Sequence, residues 1–318
     1  MRRARATGLL AAALVLAGCG GGGGGGGKTQ RVVIALDFTP NAVHAPIYTA
    51  RREGLDRREG VRLEIRTPGS APDGLKLVAS GKADVGVLDI HDLGLARERG
   101  SDVVGIAALV QRPLAAIVAT DDVRRPRDLE GRRVGVSGLP SDVAVLRSVL
   151  DGDGGRLSKL HLVTIGFASV PNLIQRKVAA VPVFWNVEGV ALRHRGVRTR
   201  EFRVDDYGAP RYPEVVLFTS RRTLERRRGA VEAVLRAVRA GVDATLRDPA
   251  GAARQIAAVG GGELGLVRAQ VAAVAPTLRP PLRLDRAVLN RWADFDVRFG
   301  VLRKRPDVDR MFAFDLAP

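Results

Sequence analysis

The sequence predicts an α/β protein of two lobes, each built on a mostly parallel β-sheet flanked by helices. Short β-branched runs alternate with amphipathic segments over the first two thirds of the chain, as expected for successive βα units. Beyond Thr219 the pattern is helical throughout. About 290 residues follow the amino-terminal segment, which is enough to bury two substantial cores.

Nine segments are predicted as strands because each is short, rich in β-branched residues and bounded by turn residues. These strands are residues 31–36, 61–66, 85–88, 104–109, 115–119, 133–136, 162–165, 181–185 and 215–219. A period near 3.6 residues predicts ten helices. The helices span residues 45–52, 73–80, 92–99, 141–150, 170–176, 187–195, 224–246, 249–259, 264–274 and 286–299.

The order of these elements predicts where the chain passes between lobes. Two crossings are expected, one near residues 111–115 and one near residues 206–214. Lobe 1 then comprises residues 30–112 and 214–318, because the helical tail returns to it. Lobe 2 comprises residues 113–213.

The amino-terminal segment is typical of an exported lipoprotein. A basic start, an apolar run at residues 9–16 and two small residues precede Cys19, which is the order of a lipoprotein signal peptide over residues 1–18. We expect cleavage before Cys19, lipidation of its thiol and a glycine-rich tether at residues 19–29. An ordinary secretory signal and an uncleaved helix are the alternatives. The expected location is the extracytoplasmic face of the cell membrane.

Composition narrows the function. Cys19 is the single cysteine, so disulfides, thiolate clusters and cysteine nucleophiles are not expected in the mature body. Formal net charge is +17, but arginines are spread along the chain without aromatic interleaving, which argues against nucleic acid and favours solvated faces. A weak attraction to anionic headgroups fits the same charge. No catalytic residue and no cofactor is predicted.

The first candidate binding segment follows the first strand, where open α/β sheets place ligands. Asp37 and Asn41 can hydrogen-bond a heteroaromatic rim, Phe38 offers a stacking face, and His44 is a switchable donor or acceptor. Each has an ordinary structural alternative: Asn41 as a helix cap, Phe38 as a core residue and His44 as a surface residue.

A second candidate segment ends the strand at residues 181–185. Trp185, Asn186 and Glu188 lie together there, and a carboxylate beside an indole suits a ring that bears an amino group. The alternative is that Trp185 points into the core and Glu188 is an acid in the first turn of a helix.

Two further segments complete the predicted site. Ser137 and Gly138 lie in a glycine turn between a strand and a helix, where free backbone N–H groups would face the cleft. Asp89 ends another strand on the cleft side. A metal site at Asp89, His91 and Asp92 is not predicted, because the histidines of the chain lack helical i, i+4 ligand spacing.

Four segments together suggest a family. They are LDFTPNAVHAPIYTA at residues 36–50, GKADVGV at 81–87, DLEGRRVGVSGLPSD at 128–142 and FWNVEG at 184–189. With them the chain resembles the substrate-binding proteins of ABC importers in the thiamine-pyrimidine-precursor group, which are related to yeast pyrimidine-precursor synthase. The resemblance covers most of residues 31–299.

The resemblance implies a type II periplasmic-binding fold whose lobes close on a formylaminopyrimidine or a hydroxymethylpyrimidine. By motif position, one wall would hold Asp37, Phe38, Asn41 and His44, and the opposite wall Trp185, Asn186 and Glu188. Phe38 stands where the family often has tryptophan, which keeps stacking but removes an indole donor. The implied partners are a small heteroaromatic solute, an ABC permease with its ATPase, and the membrane through the lipid anchor; the protein is expected to be a monomer.

Other functions stay open at this point. Riboflavin, or a sulfonate, taurine or nitrate, is the alternative cargo. A sensor would use the same closure to signal. A pyrimidine-precursor synthase like the yeast relative would need a cysteine-rich iron site, and the body beyond Cys19 has no cysteine.

Overall fold

The structure of the protein is a computed structural model, and it describes residues 29–69, 73–138, 140–166 and 168–316. The predicted signal peptide at residues 1–18 and Cys19 lie outside the described residues. So does the predicted tether, apart from its last residue. The predictions on export and lipidation therefore rest on the sequence.

The described residues form ten strands and twelve α-helices. The strands are β1 (Gln30–Ala35), β2 (Val61–Arg66), β3 (Val85–Asp89), β4 (Val103–Ala108), β5 (Ala115–Thr120), β6 (Arg133–Val136), β7 (His161–Thr164), β8 (Ala180–Phe184), β9 (Thr199–Arg203) and β10 (Val215–Ser220). The helices are α1 (Ala45–Arg52), α2 (Leu55–Arg58), α3 (Asp73–Ala79), α4 (Ile90–Glu98), α5 (Pro140–Asp151), α6 (Ser169–Ile174), α7 (Val190–His194), α8 (Arg221–Arg247), α9 (Pro249–Gly260), α10 (Leu264–Val274), α11 (Arg286–Phe299) and α12 (Val308–Met311).

Each of the two sheets has four strands that run one way and one strand that runs against them. The first sheet has the order β2-β1-β3-β10-β4, and β10 is antiparallel to both of its neighbours. The second has the order β7-β6-β8-β5-β9, in which β5 is the reversed strand. The predicted class, two mostly parallel sheets flanked by helices, is confirmed.

The chain passes between the sheets twice. Residues 109–114 lead from β4 in the first sheet to β5 in the second, and residues 204–214 lead from β9 back to β10. We call these stretches the first and second crossing segments. Each crossing segment leads directly into the antiparallel strand of the sheet that it enters. That strand is β5 in the second sheet and β10 in the first.

The strand β9 was not predicted from the sequence. It lies at the edge of the second sheet and carries Arg200, Glu201 and Arg203. An edge strand tolerates such charges, which also discourage pairing with another chain, but the charges hide the apolar alternation that marks a strand. The predicted helix at residues 187–195 also differs, because a π-helical turn over Trp185–Gly189 precedes α7.

The core extends across both faces of the first sheet. β4 and β10 are buried along their whole length, as expected for strands covered on both sides by helices. On one side α8 approaches α1 closely because Gly241 has no side chain; a Cβ there would clash with the carbonyl oxygen of Pro46. On the other side Trp292 of α11 packs in a cluster that includes Phe218 of β10 and Leu146 of α5. That cluster joins the two lobes.

Candidate functional site

The predicted binding segments lie at the carboxyl ends of β1, β3 and β8. The helix α10 contacts both the turn at residues 42–44 after β1 and the turn at residues 185–189 after β8. Its Gln270 donates a hydrogen bond from Nε2 to the carbonyl oxygen of Val187, at 3.5 Å. One helix therefore brings a loop of each sheet to the same region, which we call the candidate site.

His44 lies behind Asp37 and holds it in place. The imidazole is fully buried, and its Nδ1 accepts a hydrogen bond from the backbone N–H of Asn41 at 3.2 Å. The ring proton is therefore assigned to Nε2, which lies 2.7 Å from Asp37 Oδ1. The prediction that His44 contacts a ligand is corrected, because both of its nitrogens are engaged within the chain. His44 is a positioning residue for Asp37.

Asn41 is a helix cap in this structure. Its Oδ1 accepts from the N–H of Val43 at 2.9 Å, and its Nδ2 donates to the carbonyl oxygen of Thr39 at 3.1 Å. The cap was the alternative to ligand contact, and its geometry is satisfied. Phe38, by contrast, is 56% exposed, so its ring is not a core residue.

Carboxyl groups gather at the carboxyl ends of β1 and β3. Asp89 caps α4, and its Oδ1 accepts from the N–H of His91 at 2.7 Å. Asp92 is exposed to water, yet its pKa is raised to about 6, first by desolvation and then by the neighbouring Asp89 carboxylate; Asp37 adds to the effect. These carboxyl groups form an acidic wall of the candidate site.

The wall on the second lobe consists of Phe184 and Glu188. Phe184 is 36% exposed although it ends a strand of the sheet. Glu188 is half-buried, and its Oε2 accepts a hydrogen bond from the N–H of Phe184 at 3.2 Å. Burial raises the pKa of the Glu188 carboxyl group above its usual range. The structure thus places a carboxyl group next to the backbone of a residue whose aromatic ring is accessible.

Trp185 is a core residue, so the stacking face predicted at this position is corrected. The indole is 2% exposed, and its Nε1 donates to the carbonyl oxygen of Pro113 in the first crossing segment at 3.0 Å. The guanidinium of Arg203 lies 4.0 Å from the ring centroid. Phe184 is the last residue of β8 and Trp185 begins the π-helical turn, and of the two only Phe184 is accessible to solvent. Phe184 was not among the binding residues predicted from the sequence, because the rarer tryptophan beside it was the stronger signal.

The remaining predicted residues differ in their surroundings. The backbone N–H and the Oγ of Ser137 both donate to Asp142 Oδ2, each at 2.6 Å, so the predicted free N–H at Ser137 is already bonded. Gly138 supplies the left-handed turn after it, with φ of 100°. Asn186 is fully buried, and neither Oδ1 nor Nδ2 has a hydrogen-bond partner among the described residues. Both polar atoms of this buried amide can therefore still hydrogen-bond to a further polar group.

Comparison with known proteins agrees with this architecture. The family model described as NMT1/THI5 like matches residues 41–252. The chain is 31% identical over 253 residues to the formylaminopyrimidine-binding protein of Halalkalibacterium halodurans, which covers 78% of this chain and 77% of that protein. It is 25% identical over 242 residues to the 4-amino-5-hydroxymethyl-2-methylpyrimidine phosphate synthase of Uromyces fabae, covering 70% and 69% of the two chains.

A solved structure shows the same fold. The periplasmic aliphatic sulphonate binding protein SsuA of Escherichia coli matches with a TM-score of 0.73 at 15% identity, over 89% of this chain and 97% of that one. The predicted two-lobed type II periplasmic-binding fold is confirmed by this likeness. Within the part of the chain that the structure describes, no helix has the length and apolar character needed to cross a bilayer.

Proposed function

This chain belongs to the NMT1/THI5-like family, and from that premise we propose that it captures a thiamine pyrimidine precursor between its lobes. The cargo is formylaminopyrimidine or a hydroxymethylpyrimidine-like ring, and the protein passes it on to an ABC permease driven by its ATPase. Cys19 anchors the protein on the extracytoplasmic face of the membrane. The name of the Halalkalibacterium halodurans relative supports this proposal, and so does the chemistry of the candidate site.

One observation supports the choice of cargo: in both candidate segments an exposed phenylalanine lies close in sequence to carboxyl groups. Asp37, Asp89 and Asp92 lie on the first wall with Phe38, and Glu188 lies on the second with Phe184. An aminopyrimidine offers N–H donors at its edge and a flat face on each side, which carboxylates and phenyl rings complement. A sulfonate or nitrate would meet like charge on the first wall.

Glu188 has a specific part in this proposal. Because burial raises its pKa, the protonated form is favoured more than in an ordinary glutamate. A carboxylic acid can donate its O–H to a ring nitrogen while its carbonyl oxygen accepts from the adjacent exocyclic amino group. That paired contact recognises an aminopyrimidine edge. Phe184, one turn away, covers the face of the same ring.

Some relatives of this chain are enzymes: the synthase of Uromyces fabae is similar to it, at lower identity than the formylaminopyrimidine-binding protein. We propose binding without chemical change for this chain. The described residues of the candidate site provide hydrogen-bonding and stacking groups, whose roles in recognition need no bond to be broken. Formation of a pyrimidine product by the purified protein would refute this part of the proposal.

Titration calorimetry on the mature protein tests the cargo. We expect saturable binding of hydroxymethylpyrimidine and formylaminopyrimidine at one site per chain, and no binding of taurine or nitrate. Riboflavin is included because a flat ring alone would also stack. Tight binding of taurine or nitrate with no response to the pyrimidines would contradict the proposal. Binding of riboflavin alone would show that the cargo is riboflavin and not a pyrimidine precursor.

A further inference from the structure

A buried group of ionisable side chains lies at the junction of the two lobes, behind the acidic wall of the candidate site. We call it the hinge cluster and define it by five residues: Asp89, His91, Tyr212, Glu214 and Asp296. These residues come from the end of β3, from α4, from the second crossing segment and from α11. All except Asp89, which is half-buried, are sealed from solvent.

Glu214 ties the two crossing segments together. Its Oε2 accepts hydrogen bonds from the backbone N–H groups of Leu114, at 2.6 Å, and Ala115, at 3.1 Å, where the first crossing segment enters β5. Glu214 itself lies at the end of the second crossing segment, next to β10. Any rotation of one lobe against the other therefore moves the chain on both sides of this carboxyl group.

His91 connects Glu214 to α11. Its Nδ1 lies 2.7 Å from Asp296 Oδ1, and its Nε2 lies 3.2 Å from the hydroxyl oxygen of Tyr212 and 3.9 Å from Glu214 Oε1. The indole Nε1 of Trp292 is 3.3 Å from the same Nδ1. Because the carboxylate contact is shorter and favours a charged donor, we assign a proton to Nδ1. The imidazole then bridges the crossing segment and the tail of lobe 1.

Three carboxyl groups and one imidazole cannot all be charged in this place without a large cost of desolvation. Burial, and next the Asp89 carboxylate, raise the pKa of Glu214 to about 8, while His91 opposes them. Burial alone would lower the pKa of His91, but hydrogen-bonded Asp296, together with Asp89 and Glu214, raises it to about 10. Near neutral pH the cluster therefore holds a proton on Glu214, and a hydrogen bond between the Glu214 and Asp89 side chains lets the two carboxyl groups share it.

We propose that Glu214 is a positioning residue whose proton controls the hinge: while Glu214 shares it with Asp89, the crossing segments keep the arrangement in which the lobes close on the cargo. When the proton leaves to solvent, the O–H···O bond to Asp89 is replaced by repulsion between two carboxylates. Asp89 belongs to the acidic wall, so the change reaches the candidate site directly. The coupling to cargo rests on the proposed function; the proton-dependent hinge does not.

The other charged groups near the hinge are few among the described residues. Asp205, also on the second crossing segment, lies 2.6 Å from Arg112 and 3.8 Å from Arg211. Asp92 lies on the solvent side of Asp89. Guanidinium groups keep their charge at every pH used here, and Asp92 titrates near pH 6, below the range in which Glu214 loses its proton.

The NMR chemical shifts of the Leu114 and Ala115 amide groups report whether Glu214 is protonated, and this measurement needs no ligand. In the full mature protein we expect both shifts to titrate with a midpoint near pH 8. Glu214→Gln is the matched variant, because its amide can accept the same two N–H groups and donate to Asp89 as the protonated acid does. In that variant the titration should vanish. Glu130→Gln, at a half-buried site bonded to Lys159 at 2.6 Å, is the control that should keep it.

The cargo arm uses hydroxymethylpyrimidine as the probe. If closure needs the proton, the dissociation constant of the wild type rises about tenfold from pH 7 to pH 9, whereas that of Glu214→Gln stays level. Amides that do not titrate in the wild type overturn the proposal, even if the variant fails to fold. If the amides titrate but the wild-type dissociation constant stays the same from pH 7 to pH 9, the proton controls the hinge without affecting cargo binding, and the proposed coupling is overturned. Absence of binding at every pH refutes the proposed cargo and leaves the amide titration to decide on the hinge.

A divalent cation is the competing occupant, since Asp89, His91 and Glu214 each bring one side-chain atom within 4.8 Å of the others. The titration is therefore repeated with excess EDTA. We expect an unchanged curve. A titration that appears only after EDTA treatment would show that a metal ion takes the place of the shared proton, and it would overturn the assignment.

Discussion

The candidate site and the hinge cluster use the same residue types for different purposes. In the candidate site, Asp92 is exposed and Glu188 half-buried, and accessible phenyl rings stand beside the carboxyl groups. In the hinge cluster, Glu214 and Asp296 are sealed, and their contacts are backbone N–H groups and an imidazole. Access to water separates the two regions except at Asp89, which is half-buried and belongs to both. Carboxyl groups that water reaches can exchange it for a cargo, whereas sealed ones hold the chain together.

Phe184 and Trp185 are neighbours in the chain that differ most clearly in access to water, so we expect their alanine variants to differ most. Trp185→Ala should lower the free energy of unfolding by about 3–5 kcal/mol, because it opens a cavity in the core and leaves the Pro113 carbonyl oxygen without its donor. Phe184→Ala removes an exposed ring and should change stability by less than about 1 kcal/mol. It should weaken binding of hydroxymethylpyrimidine about tenfold through lost stacking. Urea unfolding and calorimetry measure the two quantities.

Each variant serves as the control for the other. Equal losses of stability would show that Phe184 is a core residue as well. A stable Trp185→Ala protein that fails to bind the pyrimidine would return the stacking role to the indole and remove the distinction drawn between Phe184 and Trp185.

The hinge cluster predicts how stability depends on pH. The pKa values of Glu214 and His91 are both raised in the folded protein, to about 8 and about 10, so the folded state binds more protons than the unfolded state as pH rises above neutrality. Stability should therefore fall between pH 7 and pH 9, by on the order of 4 kcal/mol. The contribution of His91 is complete below its unfolded pKa of about 6.5 and is lost as pH rises through about 10.

Urea unfolding at a series of pH values checks this expectation. Asp296→Asn removes the carboxylate that holds the His91 proton, so its slope with pH should be shallower than that of the wild type. A wild-type stability that rises over the same interval would contradict the protonation assigned to the cluster.

The sequence specified most elements because their signals are local. The helix α11 was predicted to the residue: Asp285 caps its start and Gly300, in the left-handed conformation, ends it. The strands β2 and β6 were also predicted to the residue, since apolar runs between turn residues mark them. The edge strand β9 was missed because its charges obscure that signal.

The site was predicted less completely because its geometry depends on contacts distant in sequence. Trp185 donates its indole N–H to the carbonyl oxygen of Pro113, and the sequence offered no sign of that pairing. His44 was placed in the right segment, but its role behind Asp37 depends on side-chain directions. The hinge cluster joins residues 91, 214 and 296, and only the fold brings them together. A histidine within two residues of two acids was the one signal in the sequence.

The structure of the complex with hydroxymethylpyrimidine would decide whether Glu188 and the two phenylalanines recognise the cargo. We expect a ring stacked against Phe184 with Phe38 on its other side, and the exocyclic amino group within about 3 Å of a Glu188 carboxyl oxygen. A ring bound against Trp185, or one held by arginine side chains away from Glu188, would contradict this expectation.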